Sequence, residues 1–156
     1  MRIQLLAVRL AARSMCLALL LLLLLTAGCS PLKALNAFER EPVVSDVGYA
    51  PGRGVTLDVF APEESADGPA GPRSVIVFFY GGTWQDGAKE DFRFVGSQLA
   101  ERGFVVVLPD YRLHPQVRFP AFVEDAADAV AWTFEHAAKH GGDPSRVFLM
   151  GHSAGA

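Results

Sequence analysis

The sequence predicts an α/β domain built around a mostly parallel sheet. Two observations carry this. Three short runs are continuously apolar rather than alternating: Val75-Ile76-Val77-Phe78-Phe79, Phe104-Val105-Val106-Val107-Leu108 and Val147-Phe148-Leu149-Met150. Strands buried on both faces read this way, and parallel sheets covered by helices are built from them. Between the runs lie segments with apolar residues at three- and four-residue spacing, so strands alternate with helices.

The chain opens on a targeting segment. Arg2, Arg9 and Arg13 form a basic start with no acidic residue, and a leucine-rich run follows from Met15 to Leu25. The run is shorter than the roughly 20 apolar residues of a membrane-spanning helix and fits a secretory leader. It ends in Leu25-Thr26-Ala27-Gly28-Cys29-Ser30, which resembles the lipobox of bacterial lipoproteins. Residues 1–28 are therefore expected to be a lipoprotein signal peptide and Cys29 the lipidated N-terminus of the mature chain. Thr26 departs from the aliphatic residue usual three places before the cysteine. The sequence contains two cysteines, Cys16 within the leader and Cys29. Cleavage would leave Cys29 alone, so no internal disulfide is expected.

All 17 acidic residues follow Cys29, whereas three of the 14 basic residues precede it. The mature part thus carries 11 basic against 17 acidic residues, a net charge of −6. That balance excludes a nucleic-acid-binding surface, and no basic cluster offers electrostatic attachment to anionic lipid. The expected location is the cell envelope, with lipid anchoring to a membrane.

Residues 29–42 read as a tether and 43–156 as the folded part. Val43 to Tyr49 and Val55 to Phe60 read as strands joined by the turn Pro51-Gly52-Arg53-Gly54, giving a hairpin. Val55, Leu57 and Val59 alternate with Thr56 and Asp58, the pattern of a half-buried strand. Ala61 to Pro72 is a loop. A helix is expected over Asp91 to Arg102, with Phe94, Val95 and Leu99 on one side. A second is expected over Ala121 to Lys139, its apolar face made by Phe122, Val123, Ala126, Val130, Phe134 and Ala137. Pro120 suits its first turn, and Gly141-Gly142 ends it before Asp143-Pro144 turns the chain into the last apolar run.

That last run leads into Gly151-His152-Ser153-Ala154-Gly155. Strand, Gly-x-Ser-x-Gly, then helix is the arrangement of a serine nucleophile on a tight, strained turn. A side chain two residues before or after the serine would collide with the turn, which explains both glycines. Ser153 is the candidate nucleophile, and the amide of Ala154 the first candidate oxyanion donor. The second donor is expected in the loop after the first central strand, Tyr80-Gly81-Gly82-Thr83-Trp84. Gly82 is the first choice there, then Gly81 and Thr83.

These motifs resemble the α/β-hydrolase fold, and within it the carboxylesterases related to hormone-sensitive lipase. The likeness is closer to small esterases akin to arylformamidase and isoprenylcysteine methylesterase. It is carried by Gly81-Gly82-Thr83-Trp84, Asp110-Tyr111-Arg112, Gly141-Gly142-Asp143-Pro144-Ser145-Arg146 and Gly151-His152-Ser153-Ala154-Gly155, spread over Val43 to Ala156. Tyr80 stands where that family usually has histidine. The resemblance implies hydrolysis of a small-molecule carboxylic ester through an acyl-enzyme on Ser153. Amide or formamide hydrolysis by the same apparatus, and a non-catalytic binding lipoprotein of the same fold, are the alternatives.

In this fold the triad runs Ser, then acid, then His. Asp110 and all four histidines, His114, His136, His140 and His152, precede Ser153. Asp110 is accordingly read as a support for its loop, and the acid and base are expected beyond Ala156, in a C-terminal half the sequence lacks. The 156 residues alone are expected to be inactive, with the strand Val147 to Met150 leaving an apolar sheet edge. His136 and His140 stand four apart, but no third ligand lies near them in sequence. No metal and no organic cofactor are expected.

Overall fold

Residues 35–63 and 71–156 are described by a computed structural model. The expected signal peptide 1–28, the lipidated Cys29 and the first part of the tether lie outside the described residues. Five strands form one sheet: β1 (Val44–Gly48), β2 (Thr56–Phe60), β3 (Arg73–Phe79), β4 (Val105–Pro109) and β5 (Gly142–Gly151), in the order β1-β2-β4-β3-β5. Strands β4, β3 and β5 run parallel, while β1 pairs antiparallel with β2 and β2 with β4. The expected hairpin is therefore present, grafted onto a parallel core.

Two helices make the crossovers, α1 (Arg93–Glu101) between β3 and β4 and α2 (Ala121–His136) between β4 and β5. The chain steps from β3 to β4 on one side, then crosses back to β5 on the other. Right-handed connections place the two helices on opposite faces of the sheet. Helix α1 packs on β2 and β4, and α2 on β3, β4 and β5. The order reverses at β3, so the loops leaving β3 and β5 part at a switch point, where such sheets form their sites.

Every residue of β4 is buried, and Val75, Val77, Val105 and Val106 are fully so. Burying one such side chain contributes about 1.5–3 kcal/mol. The half-buried pattern expected for β2 does not hold, because Asp58 is as completely buried as Leu57 and Val59. Helix α1 covers the face on which Asp58 was expected to meet solvent, and it comes close because residue 96 is glycine: a Cβ there would lie 2.5 Å from the Phe60 ring. Asp58 is tolerated in this position because the buried Lys89 ammonium hydrogen-bonds its Oδ1 at 2.7 Å.

The apolar face expected for α2 is also corrected. Val123 and Phe134 are about half exposed, at 54% and 52%, and the fully buried stripe is Asp125, Ala129 and Thr133, continued by Ala137. Phe122, Ala126 and Val130 are partly buried against the core, as expected. Counting apolar residues misplaces the face because its centre is small and polar. Ala129 permits close approach to the sheet, Thr133 Oγ1 donates to the Ala129 carbonyl at 2.8 Å, and Asp125 is matched by arginines.

Strand β5 begins earlier than expected. Gly142 pairs with Arg73, and an irregularity separates that pair from Val75 and Val147. Asp143 sits in it, accepting from Ser145 N at 2.9 Å, Ser145 Oγ at 2.6 Å and Arg146 Nε at 2.7 Å, and these bonds hold its pKa down at about 2. Among the described residues β5 has no neighbour beyond β3, and Phe148, Leu149 and Met150 are exposed.

The last part of the expected tether is bound to the domain. Asn36 Nδ2 donates to the carbonyls of Glu90 at 3.0 Å and Asp91 at 2.9 Å, and Asn36 Oδ1 accepts from Phe94 N at 2.8 Å. Arg40 N donates to Ser97 Oγ at 3.3 Å, and Arg93 pairs with Glu41 at 2.9 Å. The chain thus enters the domain at the first turn of α1 and runs along that helix.

Candidate active site: the Ser153 turn and the loop that faces it

Strand β5 ends at Gly151, and the chain reverses through His152 into a single turn of 3-10 helix, Ser153–Gly155. Ser153 has φ +54°, the left-handed region. A non-glycine residue there costs about 1–2 kcal/mol, and such strain gathers at functional positions. Both glycines of the motif are required by space. A Cβ on Gly151 would lie 2.3 Å from the Gly155 carbonyl oxygen, and one on Gly155 would lie 2.3 Å from that of Phe79. The turn is closed by Gly155 N donating to His152 O at 3.0 Å and tied to β3 by His152 N donating to Phe79 O at 3.0 Å. The strain is measurable. Ser153→Gly should be more stable than Ser153→Ala by about 0.5–1 kcal/mol in urea unfolding, after the extra freedom glycine gains in the unfolded chain is discounted. Equal stabilities would contradict the assignment of strain.

The loop leaving β3 lies directly against this turn. A Cβ on Gly81 would be 2.9 Å from Ser153 Cβ and 2.8 Å from the His152 carbonyl oxygen. Only a residue without a side chain lets the two segments meet. Gly82 has φ +137°, and a Cβ there would fall 1.9 Å from the Asp86 carbonyl oxygen. Thr83 and Trp84 follow at φ +55° and +57°. Three of the four non-glycine residues with positive φ among the described residues, Thr83, Trp84 and Ser153, therefore meet at this one corner. The Gly82 carbonyl is turned inward and accepts from Gln85 N and Asp86 N at 3.0 Å and from Thr83 Oγ1 at 2.7 Å. The structure thus brings together Ser153, Ala154, Gly81 and Gly82. The first amides of a helical turn have no partner within it, so Ala154 N is disposed to meet a developing negative charge.

Tyr80, the departure from the usual histidine, holds the base of the loop. Its hydroxyl donates to Asp110 Oδ1 at 2.9 Å, its carbonyl accepts from the Tyr111 hydroxyl at 2.7 Å, and its ring stacks on Tyr111 with centroids 4.7 Å apart. Burial, then the charge of Asp110, pushes the Tyr111 hydroxyl up to about 12, and the Tyr80 hydroxyl is raised by the same causes. Both remain donors at neutral pH. Asp110 is itself raised by burial, opposed by the Lys89 amide at 2.8 Å and by Tyr80. Its carboxylate faces Tyr80 and the loop, as expected of a support. Tyr80→Phe removes one donor from this carboxylate and should cost about 2 kcal/mol by denaturant titration. An unchanged midpoint would mean that the bond contributes nothing.

Of the four histidines, His152 belongs to the turn itself, next to Ser153. His136 Nδ1 lies 2.9 Å from the Trp132 carbonyl oxygen, and the His136 and His140 rings stack on Trp132 with centroids 4.5 and 6.1 Å away. Burial, then His136, lowers the pKa of His140. His114 lines a cavity of about 270 Å³ with Thr83, Trp84, Phe119 and Phe122. His152 packs against Gly81. Among the described residues no three His, Cys, Asp or Glu side chains are placed to hold a metal ion. A larger cavity of about 370 Å³ opens beside the turn on the α2 side, lined by Trp84, Phe122, Met150, Ala154 and Gly155 among others.

Two clusters were not found by sequence reasoning. Asp125, expected away from the apolar face of α2, is buried and accepts Arg112 Nε and Nη2 at 2.8 Å each, Arg112 N at 3.0 Å and Arg53 Nη1 at 2.8 Å. Burial would raise its pKa, but the bonds from Arg112 and Arg53 outweigh that and lower it. Lys89, 1% exposed, contacts Asp46 and Asp58 at 2.7 Å and Glu90 at 2.9 Å. Burial would lower the Lys89 pKa, and the three carboxylates raise it instead. Asp58 Oδ2 has no hydrogen-bond partner among the described residues. No spacing signals either cluster, since each joins residues from separate elements. The only hint was that charged residues interrupted apolar patterns.

Over 100 residues the chain is 41% identical to a probable isoprenylcysteine alpha-carbonyl methylesterase of Arabidopsis thaliana, a stretch that is 64% of this chain and 20% of the relative. It is 34% identical over 114 residues to esterase LipQ of Mycobacterium tuberculosis, covering 72% of this chain and 27% of that protein. The chain therefore spans less than a third of the curated relatives it matches. Among solved structures, esterase 2 of Thermogutta terrifontis phosphonylated by sarin superposes with a TM-score of 0.62 at 35% identity, covering 72% of this chain and 41% of that one. The family model BD-FAE matches residues 57–156. With that match over more than half of its length, a five-stranded mixed sheet flanked by helices and a strained serine at the end of β5, the chain belongs to the BD-FAE family, on an α/β-hydrolase fold.

Proposed function

We propose that the full protein is a serine carboxylesterase. The observation that carries this reading is the contact of Gly81 with Ser153: the missing side chain of Gly81 brings the backbone of its loop against an exposed, strained serine. Ser153 Oγ attacks the ester carbonyl carbon as a histidine base takes its proton. The carbonyl π electrons move to oxygen, and the oxyanion is met by the amides of Ala154 and Gly82. Collapse expels the alcohol, which leaves with the proton from the histidine. Water then attacks the acyl-enzyme by the same route and frees the acid. The histidine and its partner acid belong to sequence after Ala156, in accord with the greater length of the relatives.

The names of those relatives share ester hydrolysis, and the Thermogutta terrifontis enzyme is described as phosphonylated by sarin. A fluorophosphonate probe tests the reading on the full-length protein. Labelling is expected, and Ser153→Ala should abolish it. Absent labelling would favour a non-catalytic binding protein of the same fold, and labelling indifferent to that substitution would remove Ser153 from the nucleophile's role.

We also propose that the protein is exported and held to a membrane of the cell envelope by lipid on Cys29. The support is the leader and the Leu25-Thr26-Ala27-Gly28-Cys29 sequence. Incorporation of labelled palmitate should be lost in Cys29→Ser.

A further inference from the structure

We propose that Lys89 is a positioning residue for the loop that faces Ser153: its buried ammonium anchors the segment carrying Gly87, and Gly87 sets where Gly81 and Gly82 stand. This rests on the esterase reading and adds to it a residue that does not touch the substrate.

The first observation is how the loop is closed. Residues 81–88 leave the end of β3 and return to the 3-10 turn Lys89–Phe92. Both ends of the loop meet at one carboxylate oxygen, since Asp110 Oδ1 accepts from the Tyr80 hydroxyl at 2.9 Å and from Lys89 N at 2.8 Å. The two limbs of the loop also touch. A Cβ on Gly87 would lie 2.9 Å from the Gly81 carbonyl oxygen and 2.9 Å from Tyr80 Cδ2. The Gly82 carbonyl accepts from Asp86 N at 3.0 Å. Lys89 follows Gly87 by two residues, so a shift of its backbone reaches Gly81 through a contact with no free space.

The second observation is what fixes that backbone. The Lys89 ammonium contacts Asp46 Oδ1 in β1 and Asp58 Oδ1 in β2 at 2.7 Å each, and Glu90 Oε1 at 2.9 Å. Asp46 N donates to the same Asp58 oxygen at 3.0 Å, so the ammonium sits where the two hairpin strands are already joined. An ammonium has three donors, and here each meets a carboxylate. Net stability does not account for this arrangement. Taking both charges of a pair out of water offsets most of their attraction, and apolar residues of similar volume are often as stable. Asp58 Oδ2 is left without a partner among the described residues. What three fixed acceptors supply, and an apolar side chain does not, is one location for residue 89, set by the sheet.

The third observation is strain. Thr83 and Trp84 have φ +55° and +57°, and such backbone persists only where its surroundings over-determine it. With Lys89 released, one end of the loop is free to relax away from Ser153.

The test uses the full-length protein, p-nitrophenyl acetate, and a trifluoromethyl ketone inhibitor. Ser153 Oγ adds to the ketone carbonyl, and the hemiketal oxygen needs the same amides as the reaction does. Lys89→Met is combined with Asp58→Asn, so that no unpaired charge is left buried. Displacing a positioning element by about 1 Å costs on the order of 100-fold, so kcat should fall by about 10- to 100-fold, with KM held within about threefold. Inhibitor affinity should weaken by the same factor as kcat. Val105→Ala, a buried truncation at the start of β4, is the control for lost stability and should keep its kcat. A second variant, Asp46→Asn with Glu90→Ala, keeps the Lys89–Asp58 pair and decides the matter where the first does not fold; its kcat should fall by at least about threefold at constant KM. Unchanged kcat, or a loss no larger than that of Val105→Ala at equal thermal midpoint, overturns the positioning role while fluorophosphonate labelling of Ser153 keeps the esterase reading. Absence of both turnover and labelling in the unsubstituted protein overturns the two together.

Discussion

Ser153→Ala in the full-length protein is expected to lower kcat for an ester substrate by roughly 10^4- to 10^6-fold, the scale of removing a serine hydrolase nucleophile, with the thermal midpoint unchanged. The two halves of this expectation come from different features of the turn. Activity falls because Ser153 is the hydroxyl at the end of β5, and the neighbouring Thr83 hydroxyl is committed to the Gly82 carbonyl at 2.7 Å. A Cβ on Gly81 would lie 2.9 Å from Ser153 Cβ. Stability holds because Ser153 is exposed and alanine keeps the Cβ whose strain at φ +54° is already present. Steady-state kinetics and a melting curve on the same preparation check both. Ester turnover within tenfold of the unsubstituted protein would end the assignment of Ser153. A collapse of the melting curve would mean that the hydroxyl is structural.

Asp125→Ala is expected to destabilise the protein by about 3 kcal/mol, the low end for breaking a buried ion pair because Arg112 and Arg53 can turn their partly exposed guanidiniums to water. The carboxylate is wholly buried and accepts four hydrogen bonds from these two arginines. The network joins α2, the turn of the β1–β2 hairpin and the Asp110-Tyr111-Arg112 loop on which Tyr80 rests. The damage should therefore extend to the Gly81 loop, and kcat should fall with stability. The pH dependence has a definite sign. Asp125 is lowered in the folded state, so the unfolded chain binds its proton more readily. Its contribution is complete above the unfolded value of about 3.9 and is lost as pH falls further. Urea titrations between pH 6 and 3 should show the unsubstituted protein losing stability below pH 4 faster than Asp125→Asn. Parallel curves would place the acid sensitivity in other carboxylates.

What could be read in advance follows from the range of the interactions. The three buried strands, the two crossover helices and the hairpin turn leave local marks, because burial on two faces, on one stripe or at a turn constrains neighbours in sequence. The Ser153 turn is legible for the same reason: Gly151 and Gly155 clear the space around Ser153 within five residues. Asp58 and Asp125 were misplaced because a charge in an apolar pattern reads as solvent-facing. Their partners, Lys89 and Arg112, are 31 and 13 residues away. The burial of Asp58 also depends on Gly96, whose missing Cβ lets α1 press onto Phe60.

By itself the sequence determined the class of fold, the order of its elements and the tight serine turn at the end of β5. Each rests on periodicity or on steric demands within a few residues. Only the tertiary structure decided that Gly81 touches Ser153, that Tyr80 takes the histidine's place by reaching Asp110, and that Asn36 binds the first turn of α1. Those contacts join segments 30 to 72 residues apart. Their partners are chosen by the geometry of the sheet, which brings the ends of β3, β4 and β5 to one edge, and no local pattern encodes that choice.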